Sequence, residues 1–250
     1  MTPERLARLA QVLDQRQPDL TVVMDEVNKP HNLSAIIRSA DAVGVAEVQA
    51  VWPKHAMRMV ASAAKGSHDW VLVHTHPDIG SCVATLKARG MQVLATHLDD
   101  TAVDYRAVDY TRPTAILFGA EKYGLPQASL ALADQRIIIP MHGMVQSLNV
   151  SVAAALILYE AQRQRQLAGL YQSSHSRLPE SEQQRLLFER GYPVLTRMCR
   201  QKQLPYPTID AQGELQADES WWQQMQLSRR AWRELEQQAH SNDDEDEGDA

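Results

Sequence analysis

Asn32 and Arg38 occupy one segment, KPHNLSAIIRSADAVGV (29–45), whose residue types could hold and polarise an anionic substrate. Leu33, Ile36, Ile37, Ala40 and Val43 recur at helical spacing and form a core-facing stripe, which leaves Arg38 on the opposite side. Pro30 suits a first helical turn. The arginine is therefore aimed away from the core, close to a helix N-terminus that favours anions. The same residues also fit a plain surface arginine and a capping asparagine.

A second segment, ILFGAEKYGLP (116–126), runs from an apolar strand through Gly119, Glu121 and Gly124 to Pro126. Glycines there let backbone approach a ligand closely, and open α/β sheets bind ligands beyond the carboxyl ends of their strands. An ordinary strand–turn–helix connection reads the same way. The third segment, IIIPMHGMVQSLNVSVAAALILYE (137–160), passes from a buried strand through a loop to Ser147, Leu148 and Asn149, then into a strongly apolar helix. Ser147 or Asn149 can cap that helix, which is compatible with a place in a site.

Other chemistries find less support. Neither GxGxxG nor GxxxxGK[ST] occurs, which counts against a dinucleotide dehydrogenase or a nucleoside triphosphatase. His31, His55, His68, His74, His76, His97 and His142 are scattered, and His74–His76 lacks further ligands at a convincing spacing, so no metal is expected. Cys82 and Cys199 form neither a disulfide framework nor a CxxC pair.

These segments must be carried by alternating elements. Strands are expected at Leu20–Met24, Glu47–Trp52, Trp70–His74, Gln92–His97, Thr114–Phe118 and Arg136–Ile139. Helices are expected over 1–18, His31–Val43, a short stretch near Met57–Ala64, Ile79–Arg89, Gln127–Leu132 and 148–166, with Gly44 and Gly90 as C-terminal caps. Such alternation predicts an α/β fold, a parallel sheet with helices on both faces. Beyond Gly169 the sequence reads as a linker, a helical stretch over 181–202, a Pro- and Gly-punctuated piece, and a helix from about Ser220 to Gln238. The expected organisation is an N-terminal helical extension (1–19), a catalytic domain (20–168), a C-terminal helical extension (169–240) and an acidic tail (241–250).

Of the 250 residues, 44% are hydrophobic and 22% charged, and no apolar run reaches membrane-spanning length. The N-terminus is charged and amphipathic, unlike a secretory signal, so a cytoplasmic, reduced protein is expected. A net charge of −6 at first argues against nucleic acid, but Asp243, Asp244, Glu245, Asp246, Glu247 and Asp249 account for all of it. The rest of the chain is neutral and can carry local basic patches.

In order and spacing, NLSAIIRSADAVG, LFGAEKYGL and IPMHGMVQSLNVSVAAAL resemble the SpoU, or TrmH, family of SPOUT methyltransferases. RLARLAQVLDQRQPDLTVVMDEV and LPESEQQRLLFERGYPVLTRMCRQKQLPYPTI are similar to its TrmH branch, which methylates guanosine 18 in the tRNA D-loop. The resemblance implies a SPOUT fold with a C-terminal trefoil knot, a homodimer, S-adenosylmethionine as cofactor and tRNA as substrate. It maps the catalytic positions to Arg38, Asn32, Glu121, Ser147 and Asn149. The cofactor surface maps to Thr96, Phe118, Gly119, Ala120, Glu121, Lys122, Ile139 and Leu148. For tRNA docking, Arg5, Arg8, Arg16, Arg163 and Arg165 are the expected cations. The rival readings are an rRNA 2′-O-methyltransferase, a non-catalytic RNA-binding module and a nucleotide-dependent metabolic enzyme.

Overall fold

The computed structural model describes residues 1–52, 70–172 and 177–225. The expected short helix near Met57–Ala64, His55, His68, the last helix beyond Met225 and the acidic tail lie outside them. The chain divides into two compact units, Gln15–Arg177 and Met1–Asp14 with the segment from Leu178 onward.

The larger unit runs β1 (Leu20–Asp25), α2 (Pro30–Ala42), β2 (Glu47–Val51), β3 (Leu72–His76), α3 (Ile79–Ala88), β4 (Gln92–Thr96), β5 (Val103–Asp104), β6 (Thr114–Phe118), α4 (Gln127–Leu132), β7 (Gln135–Ile138) and α5 (Val150–Leu167); α1 (Pro3–Asp14) belongs to the smaller unit. The seven strands lie in the order β3-β2-β1-β6-β4-β7-β5 and every pairing is parallel. β1 and β6 are buried along their whole length, as interior strands covered on both faces must be. Side chains of β1, β4 and β6 alternate between two cores. Val22, Met24, Leu94, Ile116 and Phe118 pack on one face with Ile36 and Ile37 of α2 and Ile157 and Leu158 of α5. Val23, Val93, Ala95, Ala115 and Leu117 pack on the other with Leu86 of α3 and Leu130 of α4.

The expected strands are found, with small shifts in their ends. β3 starts two residues later than the apolar run suggests, because Trp70 and Val71 belong to a turn that leads into it. β5 was not foreseen: two residues carry no period. α2 stops where its carbonyls are satisfied by the amides of Gly44 (to Asp41, 2.9 Å) and Val45 (to Ala40, 2.9 Å). Gly44 sits at φ +79, and a Cβ there would come 2.7 Å from the Gln15 carbonyl oxygen, so glycine is required twice over.

In the smaller unit, α1 buries Leu9 and Leu13, and the expected helical stretch over 181–202 is two helices, α6 (Glu180–Gly191) and α7 (Pro193–Lys202). Pro193 has no amide to continue α6 and instead opens α7. The Pro- and Gly-punctuated piece carries an antiparallel pair, β8 (Thr208–Ile209) with β9 (Leu215–Gln216), before α8 (Glu219–Met225). Phe188, Tyr192, Leu195, Cys199, Ile209 and Trp221 form this unit's core.

Candidate active site

The sheet order changes direction at β1: α2 leads from it to β2 on one side, while β6 lies on the other. Segments leaving the carboxyl ends of β1 and β6 therefore face one crevice, the usual ligand position in such sheets. Asp25, the last residue of β1, is 3% exposed and accepts a 2.5 Å hydrogen bond from Ser129 of α4. Burial pushes its carboxyl up, and the Ser129 hydroxyl opposes that. This contact holds the start of the β1–α2 connection against the helix that follows the β6 loop.

A second contact joins the same two connections. The side chain of Asn32, 1% exposed, donates from Nδ2 to Glu121 Oε1 at 2.5 Å. It does not cap its helix: Lys29 is the N-cap residue and makes no side-chain cap bond. The capping alternative for Asn32 is thus set aside by geometry. Its Oδ1 accepts from Asn149 Nδ2 at 3.2 Å. Asn149 is the N-cap of α5 and accepts on Oδ1 from the amide of Ser151 at 2.8 Å, so both readings of this residue hold together. Glu121, Asn32 and Asn149 form one hydrogen-bonded chain between three elements that are distant in sequence.

On the far side of Glu121 opens a cavity of about 300 Å³, within the range of small-molecule sites. Thr96, Phe118, Gly119, Ala120, Glu121, Lys122, Ile139 and Leu148, the residues expected at a cofactor surface, all line it, and so does Ser147. Its floor is apolar, with Phe118, Ile137 and Ile157. Thr96 Oγ1 donates to the Leu117 carbonyl at 2.8 Å and ties β4 to β6 at the rim. The Gly119–Gly124 loop closes on itself, with the Gly124 amide donating to Ala120 O at 2.8 Å and Gly124 at φ +66. His97, Met141 and Ala153 also line the cavity and were not anticipated. His97 directly follows the expected Thr96, so the strand end pointed to it; Ala153 faces in only because α5 packs across the sheet, which no local pattern records.

Arg38 is exposed, and its guanidinium makes no hydrogen bond or ion pair with any described residue. The cations expected to dock RNA fare differently. Arg163 is 59% exposed on its side chain but paired with Glu160 at 2.7 Å. Arg8 is exposed and donates to Gln11 at 3.0 Å, and Arg5, half-buried, donates to the Arg190 carbonyl at 3.2 Å. Two expectations are corrected. Arg16 is 2% exposed and held by Asp41 (2.7 Å) and the Val45 carbonyl (2.9 Å). Arg165 is fully buried and bonded to Asp19 (2.7 Å), Gln17 (3.0 Å) and the Tyr110 carbonyl (2.9 Å). Both look exposed by helical spacing, yet both are buried and paired with a carboxylate, out of a phosphate's reach.

Known proteins share this architecture. Residues 19–159 match the SpoU rRNA Methylase family, and residues 163–218 match the SpoU rRNA methylase C-terminal family. A tRNA (guanosine(18)-2′-O)-methyltransferase of Escherichia coli K12 is 66% identical over 228 residues, which is 91% of this chain and 100% of that protein. The crystal structure of the Aquifex aeolicus TrmH/SpoU tRNA modifying enzyme superposes with a TM-score of 0.69 at 42% identity, covering 76% of this chain and 96% of that one. The SpoU methyltransferase AviRb of Streptomyces viridochromogenes, solved in complex with the cofactor AdoMet, gives 0.54 at 31% identity over 62% of this chain and 64% of its own. With the fold, the crevice and the ordered motifs in agreement with these matches, the chain belongs to the SpoU methylase family.

Proposed function

We infer that this chain transfers a methyl group from S-adenosylmethionine to the ribose 2′-hydroxyl of guanosine 18 in the tRNA D-loop. The observation that carries the reading is the Glu121–Asn32–Asn149 chain, which joins a small-molecule cavity to the helix bearing Arg38, an exposed arginine with no partner among the described residues. The relatives that act on guanosine 18 of tRNA support the substrate.

The residues present suit the cofactor. The apolar floor fits a ring system, and Gly119 brings backbone to the wall where a side chain would not fit. Backbone groups of Phe118–Lys122 would read the adenine edge, Ile139 and Leu148 would flank the ring, and Thr96 would close the rim. Bound there, S-adenosylmethionine supplies an electrophilic methyl group on a sulfonium sulfur. The protein's task is to bring the ribose oxygen into line, largely a matter of orientation. Arg38 offers its planar donor fork to an RNA phosphate and to the negative charge that develops on the 2′-oxygen. Asn32 and Asn149 hold the ribose side of the site in register with the cavity. Ser147 stands exposed at the mouth, and Glu121 fixes the cofactor loop to α2.

Arg38→Lys tests the guanidinium, because lysine keeps the charge and loses the fork. Turnover is expected to fall on the order of 100-fold, the scale of one preorganised donor, with S-adenosylhomocysteine affinity unchanged. Full turnover in that variant would exclude a specific guanidinium role. The function itself is tested by incubating the purified protein with unmodified tRNA and mapping 2′-O-methyl groups by mass spectrometry. Product at another nucleotide, or on rRNA alone, would overturn the substrate; absence of any product, with no S-adenosylhomocysteine binding, would overturn the reaction.

The reading includes a homodimer, and α5 offers a face for it. Val152, Leu156 and Tyr159 follow one another at helical spacing and remain 47%, 41% and 52% exposed. Leu156→Glu is expected to halve the mass found by light scattering at micromolar concentration; a wild-type protein that is already monomeric there contradicts the dimer. The reading also includes the knot. β7 lies between β4 and β5, with Thr96 and Val103 both in register with Ile137. Residues 97–102 must therefore bridge across β7, which supports a threaded chain. Arg5, Arg8 and Arg163 remain the docking cations of this proposal. The protein works where tRNA is, in the cytoplasm, and among the described residues no helix is long and apolar enough to cross a membrane.

A further inference from the structure

Two side-chain contacts join the β1–α2 connection to the β6–α4 connection. Asn32–Glu121 stands at the cavity wall, whereas neither Asp25 nor Ser129 lines the cavity. We propose that the Asp25–Ser129 pair is a positioning device for methyl transfer, fixing the register in which Asn32 meets Glu121 and so the ribose side of the site against the cofactor cavity; this rests on the function proposed above.

Stability alone does not account for the pair. Asp25 follows Val23 by two residues and so faces the same side of the sheet, where Val23 packs with Val51, Leu125 and Leu130. An apolar side chain would suit that position. The fold instead buries a carboxylate there, with Ser129 fully buried beside it. Oδ2 accepts from Ser129 Oγ, and the carboxylate receives no other hydrogen bond among the described residues. One neutral donor compensates poorly for a buried charge, and the raised carboxyl reflects that cost. Breaches of the local rules are expected at functional sites.

The next residue is irregular too. Glu26 holds φ +57, a left-handed conformation that is uncommon for a residue with a side chain. Its amide donates to the Val51 carbonyl at 3.2 Å, and Val27 after it is fully buried. The chain is thus held at Asp25, turned at Glu26 and held again at Val27 before α2 begins. Such strain persists only where the surroundings over-determine it, and it gathers at functional sites. The two contacts also run crosswise. Asp25 at the start of one connection meets Ser129 beyond the end of the other, and Asn32 beyond the end of the first meets Glu121 near the start of the second. One tie would leave α2 free to pivot about Asn32, carrying Arg38 with it; two ties fix its orientation.

The test uses the full chain with unmodified tRNA and reads rate, binding and melting separately. Ser129→Ala removes the donor and adds no volume. Its single-turnover methylation rate is expected to fall about tenfold or more, since a displacement of about 1 Å costs on the order of 100-fold, while S-adenosylhomocysteine and tRNA affinities stay within about threefold. Asp25→Val combined with Ser129→Ala separates positioning from stability. It removes both partners and orphans neither, so the paired variant should melt no lower than wild type and yet lose rate to the same extent. In an Asn32→Ala background, Ser129→Ala should cost less than about threefold more, because the tie it serves is already gone. The proposal would be overturned by a wild-type rate in the paired variant, by a lowered melting midpoint there, or by a rate loss that tracks weakened S-adenosylhomocysteine or tRNA binding. An undiminished loss from Ser129→Ala in the Asn32→Ala background would overturn it as well. Failure of the wild type to methylate tRNA at all would instead overturn the function on which it rests.

Discussion

Gly119→Ala is expected to abolish measurable S-adenosylhomocysteine binding by calorimetry. A Cβ at this position would come within 2.2 Å of the Gly124 carbonyl carbon, 2.3 Å of its oxygen and 2.4 Å of the Leu125 amide nitrogen. All are backbone atoms, so no side chain can turn aside. The loop has to open, and the Gly124–Ala120 bond that closes it is lost. Displacing a binding loop by about 1 Å already costs on the order of 100-fold in a positioned reaction. Overpacking of this kind costs about 1–3 kcal/mol of stability, so the variant should fold and yet fail to bind. Gly124→Ala is the informative comparison. Its φ of +66 strains any side chain, but nothing lies within 4 Å of the added carbon. The penalty there is the left-handed conformation alone, about 1–2 kcal/mol. Equal S-adenosylhomocysteine affinity in Gly119→Ala and wild type would refute the steric account.

Arg165→Met is expected to lower the melting temperature by about 10 °C while leaving the cavity intact. Arg165 joins residues far apart in the chain, with Nε on Tyr110 O, Nη1 on Gln17 and Asp19, and Nη2 on the carbonyls of Asp19 and Arg112. Methionine fills much of the volume and supplies none of the donors. Removing one member of a buried ion pair costs about 3–5 kcal/mol, and each kcal/mol moves the midpoint of a domain this size by about 2–4 °C. Asp19 keeps Arg177 at 2.7 Å, which restrains the loss. The network also sets a pH dependence. Burial pushes the Asp19 carboxyl up, and the guanidiniums of Arg165 and Arg177 more than reverse this, leaving it below its ordinary value. A depressed carboxyl contributes stability that is complete above the unfolded value, about pH 4, and lost as pH falls through the folded one. Arg165→Met should therefore destabilise more at pH 7 than at pH 3 in urea titrations. A midpoint within 2 °C of wild type, measured by calorimetry at pH 7, would show the network to be dispensable.

Much of the sheet was legible because its strands announce themselves. Continuous apolar runs such as Thr114–Phe118, bounded by Pro113 and Gly119, admit few other readings. The α2 stripe and the glycine that ends it were equally plain. Legibility failed where distant residues decide. Two-residue β5 exists only because β7 lies beside it. Arg16 and Arg165 read as solvated cations because spacing says where a side chain leaves its own helix, and says nothing of the Asp41 or Asp19 that receives it. The site shows the same divide. Asn32, Glu121 and Asn149 could be nominated from ordered motifs, but their direct bonding depends on three connections converging beyond the sheet. The two-helix break at Tyr192–Pro193 was open to inspection, since a proline inside a helical run is a stop that a long apolar pattern tends to mask.

Asn149 limits what the chain can become. Its oxygen serves the helix and its nitrogen serves Asn32. Serine, threonine and aspartate cap helices about as well, so the helix by itself would tolerate a drift among all of them. None carries an amide donor for Asn32. A helix that folds normally with aspartate at 149 would leave the far oxygen of Asn32 facing a carboxylate in place of a donor, and a stability screen would pass a variant that the reaction rejects. Along this stretch, selection for folding and selection for chemistry act on opposite ends of a single side chain.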